Sequence, residues 1–226
     1  MHPLRQIKSF VLRQGRLSQR QETALNLLST QYLLDPEQND YDWSKLFNNP
    51  KQVVLEIGFG MGKSLIDMAK VNPETYYIGI EVHKPGLGAI LADIQDQELS
   101  NIRLFCADAV KVLSQCIKDN SLDAIHIFFP DPWPKRRHHK RRLIQADFVD
   151  LLIQKLKKDG YLHLATDWQD YALHMLRVLS AKNVLENTAG AGNFSADRAQ
   201  RPLTKYEQRG QRLGHEVWDL IFRKIK

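Results

Sequence analysis

The sequence predicts an α/β fold, a mostly parallel sheet covered by helices on both faces, and three observations carry that expectation. From residue 50 onward, β-rich apolar runs alternate with helical patterns, the order that parallel strands joined by crossover helices require. A glycine-rich turn follows the first of those runs. Glu56, Glu81 and Asp108 then close the first three runs, which lines carboxylates along the edge where open α/β sheets bind ligands.

The chain has 226 residues, enough for one domain with a substantial core, and its 43 % hydrophobic content is that of an ordinary globular protein. Residues 1–20 alternate basic and apolar side chains around Gly15 without a helical stripe, so they read as a flexible arm. A short helix is expected from Gln21 to about Leu28. Residues 34–50, rich in Asp, Asn and Pro, read as connecting loop. The chain thus divides into a basic arm with a short helix over 1–33 and a main domain over 34–226.

Within the main domain the β-rich runs place strands at 52–57, 76–81, 102–106, 124–129, 161–165 and 216–222, with a weaker seventh near 183–186. Helical patterns fill the gaps at about 62–70, 85–97, 109–118, 142–157 and 169–180. Residues 189–197 are small and polar, the composition of a mobile loop.

Charge is unevenly distributed. The net charge of +6 comes from 32 basic and 26 acidic residues, yet six of the bases fall within 135–142, and without them the count is 26 against 26. Residues 1–20 carry five more bases and no acid. A mildly acidic body with two basic regions fits a polyanionic partner. No apolar run has membrane-spanning length and the first twenty residues lack a secretory signal, so a cytoplasmic location and no membrane partner are expected. Cys106 and Cys116 are too few for a disulfide framework and read as free, buried thiols.

The turn after the first strand is Glu56-Ile57-Gly58-Phe59-Gly60-Met61-Gly62-Lys63-Ser64. Glycine permits positive φ and close backbone approach, and the following helix offers free N–H groups. The spacing departs from both G-x-G-x-x-G and the phosphate-binding G-K-[ST] loop, which disfavours a nicotinamide cofactor or a nucleoside triphosphate. Glu81, about twenty residues on, is placed to accept two ribose hydroxyls. Asp108 either receives an adenine amino group or caps the next helix.

Glu56-Ile57-Gly58-Phe59-Gly60-Met61-Gly62 resembles the first motif of the S-adenosylmethionine-dependent methyltransferases with a Rossmann-like class I fold and a seven-stranded sheet. That resemblance implies S-adenosylmethionine as cofactor, with Glu56, Gly58, Gly60, Gly62, Glu81, Asp108 and Asp131 around it.

Phe129-Pro130-Asp131-Pro132-Trp133-Pro134-Lys135 after the fourth strand, Thr166-Asp167-Trp168 after the fifth, and Thr204-Lys205-Tyr206-Glu207 near the C-terminus closely resemble the bacterial tRNA (guanine-N7-)-methyltransferases. The resemblance covers nearly the whole chain, including Gln14-Gly15-Arg16. It implies transfer of a methyl group to guanine N7 in tRNA, with position 46 of the variable loop as the target. It also implies Asp131 as the catalytic residue, Lys135, Asp167, Thr204, Lys205, Tyr206 and Glu207 as substrate-binding, and Arg137, His138, His139, Lys140, Arg141 and Arg142 as RNA-binding. Guanine N7 has a free lone pair and no proton, so Asp131 is expected to align reactants and offset developing charge rather than abstract a proton. Trp133 either stacks on a base or packs as a lid. His138 and His139 lack a third ligand, and no metal is expected.

Two other readings bear on the same residues. An amino-group methyltransferase would carry [DN]-P-P-[YFW] after strand four, from which Asp131-Pro132-Trp133 departs. A non-catalytic RNA-binding protein on the same fold is opposed by the intact glycines, Glu81, Asp108 and Asp131. Monomer and homodimer both remain open.

Overall fold

The computed structural model describes residues 9–10, 15–47, 50–199, 201–203, 207 and 216–226. Among these, seven strands form one sheet: β1 Gln52–Ile57, β2 Thr75–Ile80, β3 Ile102–Phe105, β4 Leu122–Phe128, β5 Leu156–Thr166, β6 Leu185–Asn187 and β7 Trp218–Lys224. Their spatial order is β3-β2-β1-β4-β5-β7-β6. The β1–β2, β1–β4, β2–β3 and β4–β5 pairs are parallel, and β7 runs antiparallel between β5 and β6.

The helices are α1 Gln19–Tyr32, α2 Trp43–Leu46, α3 Lys63–Val71, α4 Lys84–Asp96, α5 Ala109–Gln115, α6 Ala146–Lys155 and α7 Gln169–Ser180. Alternation along β1 shows how both faces are filled. Val53, Leu55 and Ile57 join a core with side chains of α5, α6 and α7, whereas Val54 joins a second core with α1, α3 and α4. Burial on both faces explains why the strands read as continuous apolar runs.

The expected bounds of β1 and α7 match. Three departures have local causes. α1 is longer than the expected short helix because Ser18 and Gln21 form a capping box, Gln21 N–H donating to Ser18 Oγ at 3.3 Å and Ser18 N–H to Gln21 Oε1 at 2.8 Å. Ala24, Leu28 and Tyr32, one side of that helix, are buried against α4, so residues 19–32 share the core of the main domain. β5 starts at Leu156 rather than 161 because its register with β4 jumps from Leu122/Leu156 to Ala124/Tyr161, with Asp159 at φ 64° in the bulge.

The expected helix over 142–157 begins only at Ala146. Residues 142–145 are not helical, and a separate 3-10 turn, Arg136–Arg141, precedes them. Within 34–50 the short α2 is capped by Asp42, and Tyr41 stacks on Trp43 with ring centres 5.7 Å apart. Residues 189–197 are tied by Asn187 Nδ2–H donating to Asn193 O at 2.9 Å and by a bridge from Ser195 to Asp219 on β7. Cys116 is buried, but Cys106 is exposed at the end of β3, where the strand meets the ligand edge. No helix among the described residues is long and apolar enough to cross a membrane.

Candidate active site

The strand order reverses direction between β1 and β4, and a cleft of about 560 Å³ opens at that switch point. Ile57 and Gly58 after β1, Ile80 and Glu81 after β2, Asp108 and Val110 after β3, and the segment 128–134 after β4 form its walls. Ser9 and Phe10 also line it.

Gly58 and Gly60 have φ of +75° and +58°, and a Cβ at either would find no heavy atom within 4 Å. Bare backbone therefore faces open space, the cradle a cofactor needs. Gly62 caps α3 at φ +84°, and a Cβ there would lie 2.6 Å from the Ile90 side chain. Glu81 fixes this loop: its Oε2 accepts Gly60 N–H at 2.9 Å, and its Oε1 accepts Val82 N–H at 2.7 Å and His83 N–H at 3.1 Å. Asp108 caps α5 by accepting Val110 N–H at 2.9 Å and also lines the cleft, so both alternatives for it are compatible with one position.

Glu56 is different. It is 2 % exposed, outside the cleft lining, and accepts Ser64 Oγ–H at 2.5 Å, with Oε2 unpartnered among the described residues. Burial pushes its carboxyl up to about 7, against a lowering hydrogen bond from Ser64.

Asp131 is exposed at the mouth of the cleft, between Pro130 and Pro132. Phe129 and Trp133, which bracket this trio, both have left-handed backbone, at φ 52° and 47°. Such conformations cost on the order of 1–3 kcal/mol each and persist where surrounding contacts hold them. Trp133 is packed by its neighbours: its Nε1–H donates to Ser9 O at 3.1 Å, the Arg141 guanidinium lies 4.0 Å from its ring centre, and His138 meets it edge-on at 5.9 Å. Asp167 is exposed just beyond β5, next to Trp168, which is 41 % exposed.

The basic segment divides. Lys135, Arg136, Arg137 and Lys140 are exposed, His138, His139 and Arg141 are half-buried, and Arg142 is buried. The expectation that Arg142 contacts RNA is corrected: an interior guanidinium bonded to protein groups cannot reach a phosphate. Thr204, Lys205 and Tyr206 lie outside the described residues. Glu207 is buried, and its carboxylate takes Arg201 Nη1–H at 2.6 Å and Nη2–H at 3.0 Å.

Arg201 is the residue that sequence reasoning missed. Its Nε and Nη2 also donate to Asp219 on β7 at 2.8 and 2.7 Å, and Asp219 contacts His163 Nε2 at 2.8 Å. Its guanidinium lies 5.3 Å from the Phe129 ring centre. Burial works to lower the Arg201 pKa, yet Asp219 and Glu207 hold it above the ordinary value. Nearby His126 is driven down to about 3 by burial and then by His163. Nothing in a single sequence marks Arg201, since burial is decided by contacts to β7 and β4. Among the described residues no group of three or more His, Cys, Asp or Glu side chains is gathered as metal ligands would be.

Strand order, glycine cradle and a carboxylate after each of β2, β3 and β4 define a class I methyltransferase dependent on S-adenosylmethionine. Solved structures share the fold: a 30S ribosomal A1408 methyltransferase from an uncultured bacterium has a TM-score of 0.57 at 19 % identity, covering 85 % of this chain and 95 % of that one. An Aquifex aeolicus SAM-dependent methyltransferase has 0.54 at 14 %, covering 91 % and 98 %. A family model described as putative methyltransferase matches residues 50–220. The tRNA (guanine-N(7)-)-methyltransferase of Hydrogenovibrio crunogenus is 52 % identical over 221 residues, covering 98 % of this chain and 92 % of that protein. Those of Legionella pneumophila (strain Paris) and Pectobacterium atrosepticum are each 50 % identical, covering 98 % and 99 % of this chain and 94 % of either relative. The chain belongs to the tRNA (guanine-N(7)-)-methyltransferase family.

Proposed function

We infer that this chain transfers a methyl group from S-adenosylmethionine to N7 of a guanine in the variable loop of tRNA, at position 46. The observation that carries the reading is the placement of Asp131: it stands where the cofactor cleft opens, on the loop that leads directly into an exposed basic turn. The relatives' shared name supplies the substrate.

Bound at the glycine cradle, the sulfonium cofactor supplies an electrophilic methyl group. Glu81 and Asp108 would hold its ribose and adenine ends, while Gly58 and Gly60 leave room along the backbone; Glu56 braces the start of α3 through Ser64. Guanine N7 has a free lone pair and carries no proton, so the residues around it have only to align the base and have no proton to remove. Asp131 orients the base and offsets the positive charge that appears on the purine. Lys135 donates to O6 and leaves N7 open, because a two-point contact to both atoms would block the reacting lone pair. Asp167 accepts from the Watson–Crick edge, and Thr204, Lys205 and Tyr206 are further contacts to the guanine; Glu207, buried against Arg201, is not one of them and serves to hold that arginine. Residues 34–226, with α1 packed against them, carry the transfer, and Arg137 and Lys140 meet RNA phosphates.

The test is position mapping. tRNA from a strain lacking the protein, incubated with the protein and S-adenosylmethionine, should become cleavable by reduction and aniline at one variable-loop guanosine. Methyl incorporation without such cleavage would point to amino-group transfer, and no incorporation would point to binding alone.

A further inference from the structure

Arg142 closes the basic run in sequence yet differs from its neighbours in every physical respect. Its side chain is 2 % exposed. Nε–H donates to Pro132 O at 2.9 Å, and Nη2 donates to Asp170 in the first turn of α7 and to His139 Nε2 at 3.1 Å. The guanidinium also lies over the Tyr171 ring, 4.9 Å from its centre, and Tyr171 Oη accepts Ile144 N–H at 3.1 Å. One planar fork thereby joins the loop after β4, the 3-10 turn and α7, the helix that follows β5. Asp170 answers in kind: the hydrogen bond from Arg142 holds its carboxyl below the ordinary range.

We propose that Arg142 is a positioning residue for methyl transfer, holding the Asp131 loop in place through the Pro132 carbonyl, and is not a phosphate contact. The loop needs such a clamp. Pro130 and Pro132 have no N–H to donate, and the residues at both ends of the trio have left-handed backbone, so the segment cannot secure Asp131 by its own hydrogen bonds. Pro132 O is one residue from Asp131, and the other end of the clamp, Asp170, is three residues from Asp167. The sheet ladder fixes the ends of β4 and β5, and the fork ties together the segments that leave them. A Lys here would keep the charge but could not reach three partners in one plane.

This rests on the methyl-transfer reading, and the experiment separates the two. Wild type, Arg142→Lys, Asp170→Asn and Arg137→Ala are compared by single-turnover methylation at saturating tRNA and S-adenosylmethionine, by tRNA affinity across a salt series, and by thermal melting. Arg142→Lys should lower the single-turnover rate about 10- to 100-fold, the loss expected of a slightly misplaced reactive group, with tRNA affinity and salt slope as in wild type. Asp170→Asn should lower the rate in the same direction by a smaller factor, although it removes a negative charge near the RNA. Arg137→Ala should instead weaken tRNA binding and flatten its salt dependence. A wild-type rate in Arg142→Lys, a flattened salt slope like that of Arg137→Ala, or a rate loss no greater than the loss of folded protein at the assay temperature overturns the proposal. If Arg142→Lys does not fold, a wild-type rate in Asp170→Asn overturns it. Failure of the parent reading shows as no transfer by wild type, and the salt series still decides whether Arg142 meets phosphate.

Discussion

The two halves of the active site are built by different means. In the cofactor half, the carboxylates of Glu81 and Asp108 bind backbone N–H groups of their own turns or of the neighbouring glycine loop, and the loop's shape follows from glycines at positive φ. In the substrate half, the loop holding Asp131 has prolines and two non-glycine residues at positive φ, and it is fastened from elsewhere: by Arg142 to Pro132, by Ser9 to Trp133, and by Arg201 packed on Phe129. The first half is secured by carboxylates bonded to backbone N–H groups within the turns that form the cleft, and the second by side chains and backbone brought from outside the loop. A site of the first kind tolerates change in distant elements, and one of the second kind does not.

The sharpest way to break this contrast is to cut a long-range fastening. Arg201→Met leaves Asp219 and Glu207 buried without their common partner and should cost about 3–5 kcal/mol of folding free energy, read by denaturant unfolding; a cost below about 1 kcal/mol would show that the substrate half does not depend on this network. Next in size, Asp131→Asn should lower single-turnover methylation about 100-fold, roughly 3 kcal/mol of transition-state stabilisation, while calorimetry still detects S-adenosylmethionine binding. A near-normal rate with saturating cofactor would remove Asp131 from the chemistry.

On the cofactor side the glycines should separate packing from ligand access. Gly62→Ala combines left-handed strain with a Cβ 2.6 Å from Ile90 and should cost about 2–3 kcal/mol. Gly58→Ala meets open space, so its stability cost should stay near 1 kcal/mol while S-adenosylmethionine affinity falls. Equal stability losses in the two variants would contradict the cradle geometry.

A further contrast concerns the pH dependence of stability. Glu56 has a folded pKa of about 7 against an ordinary 4.5, so the folded state holds more protons and Glu56 lowers stability as pH rises from 4.5 to 7. His126, at about 3 against 6.5, acts oppositely and costs stability as pH falls from 6.5 to 3. Glu56→Gln removes the Glu56 slope and leaves that of His126. The variant should match wild type near pH 4 and exceed it by about 3 kcal/mol at pH 8, measured by denaturant unfolding across that range. No gain at pH 8 would show that the Glu56 carboxylate is compensated when ionised.

The same division governs what could be read from the chain. Strand β1, helix α7, the glycine turn and the acids after β2 and β3 are short-range patterns, and the structure places them where those patterns put them, whereas Glu56 at the end of β1 points into the core and not into the cleft. The Ser18/Gln21 capping box was equally visible and would have extended α1. Neither the bulge that starts β5 five residues early nor the late start of α6 at Ala146 leaves such a mark, because each is set by a neighbouring strand or by side chains from other elements, such as Tyr171 on Ile144 N–H.

The sequence by itself determined the α/β class, the cofactor edge and the motif that carries Asp131, because periodicity and turn chemistry act over a few residues. Only the tertiary structure decided that Arg142 faces inward while Arg137 faces solvent, and that Arg201 joins Glu207 to β7. A guanidinium in a basic run looks the same in sequence whether it meets water or a carbonyl. Its burial depends on acceptors brought from Pro132, His139 and Asp170, and only folding brings those together.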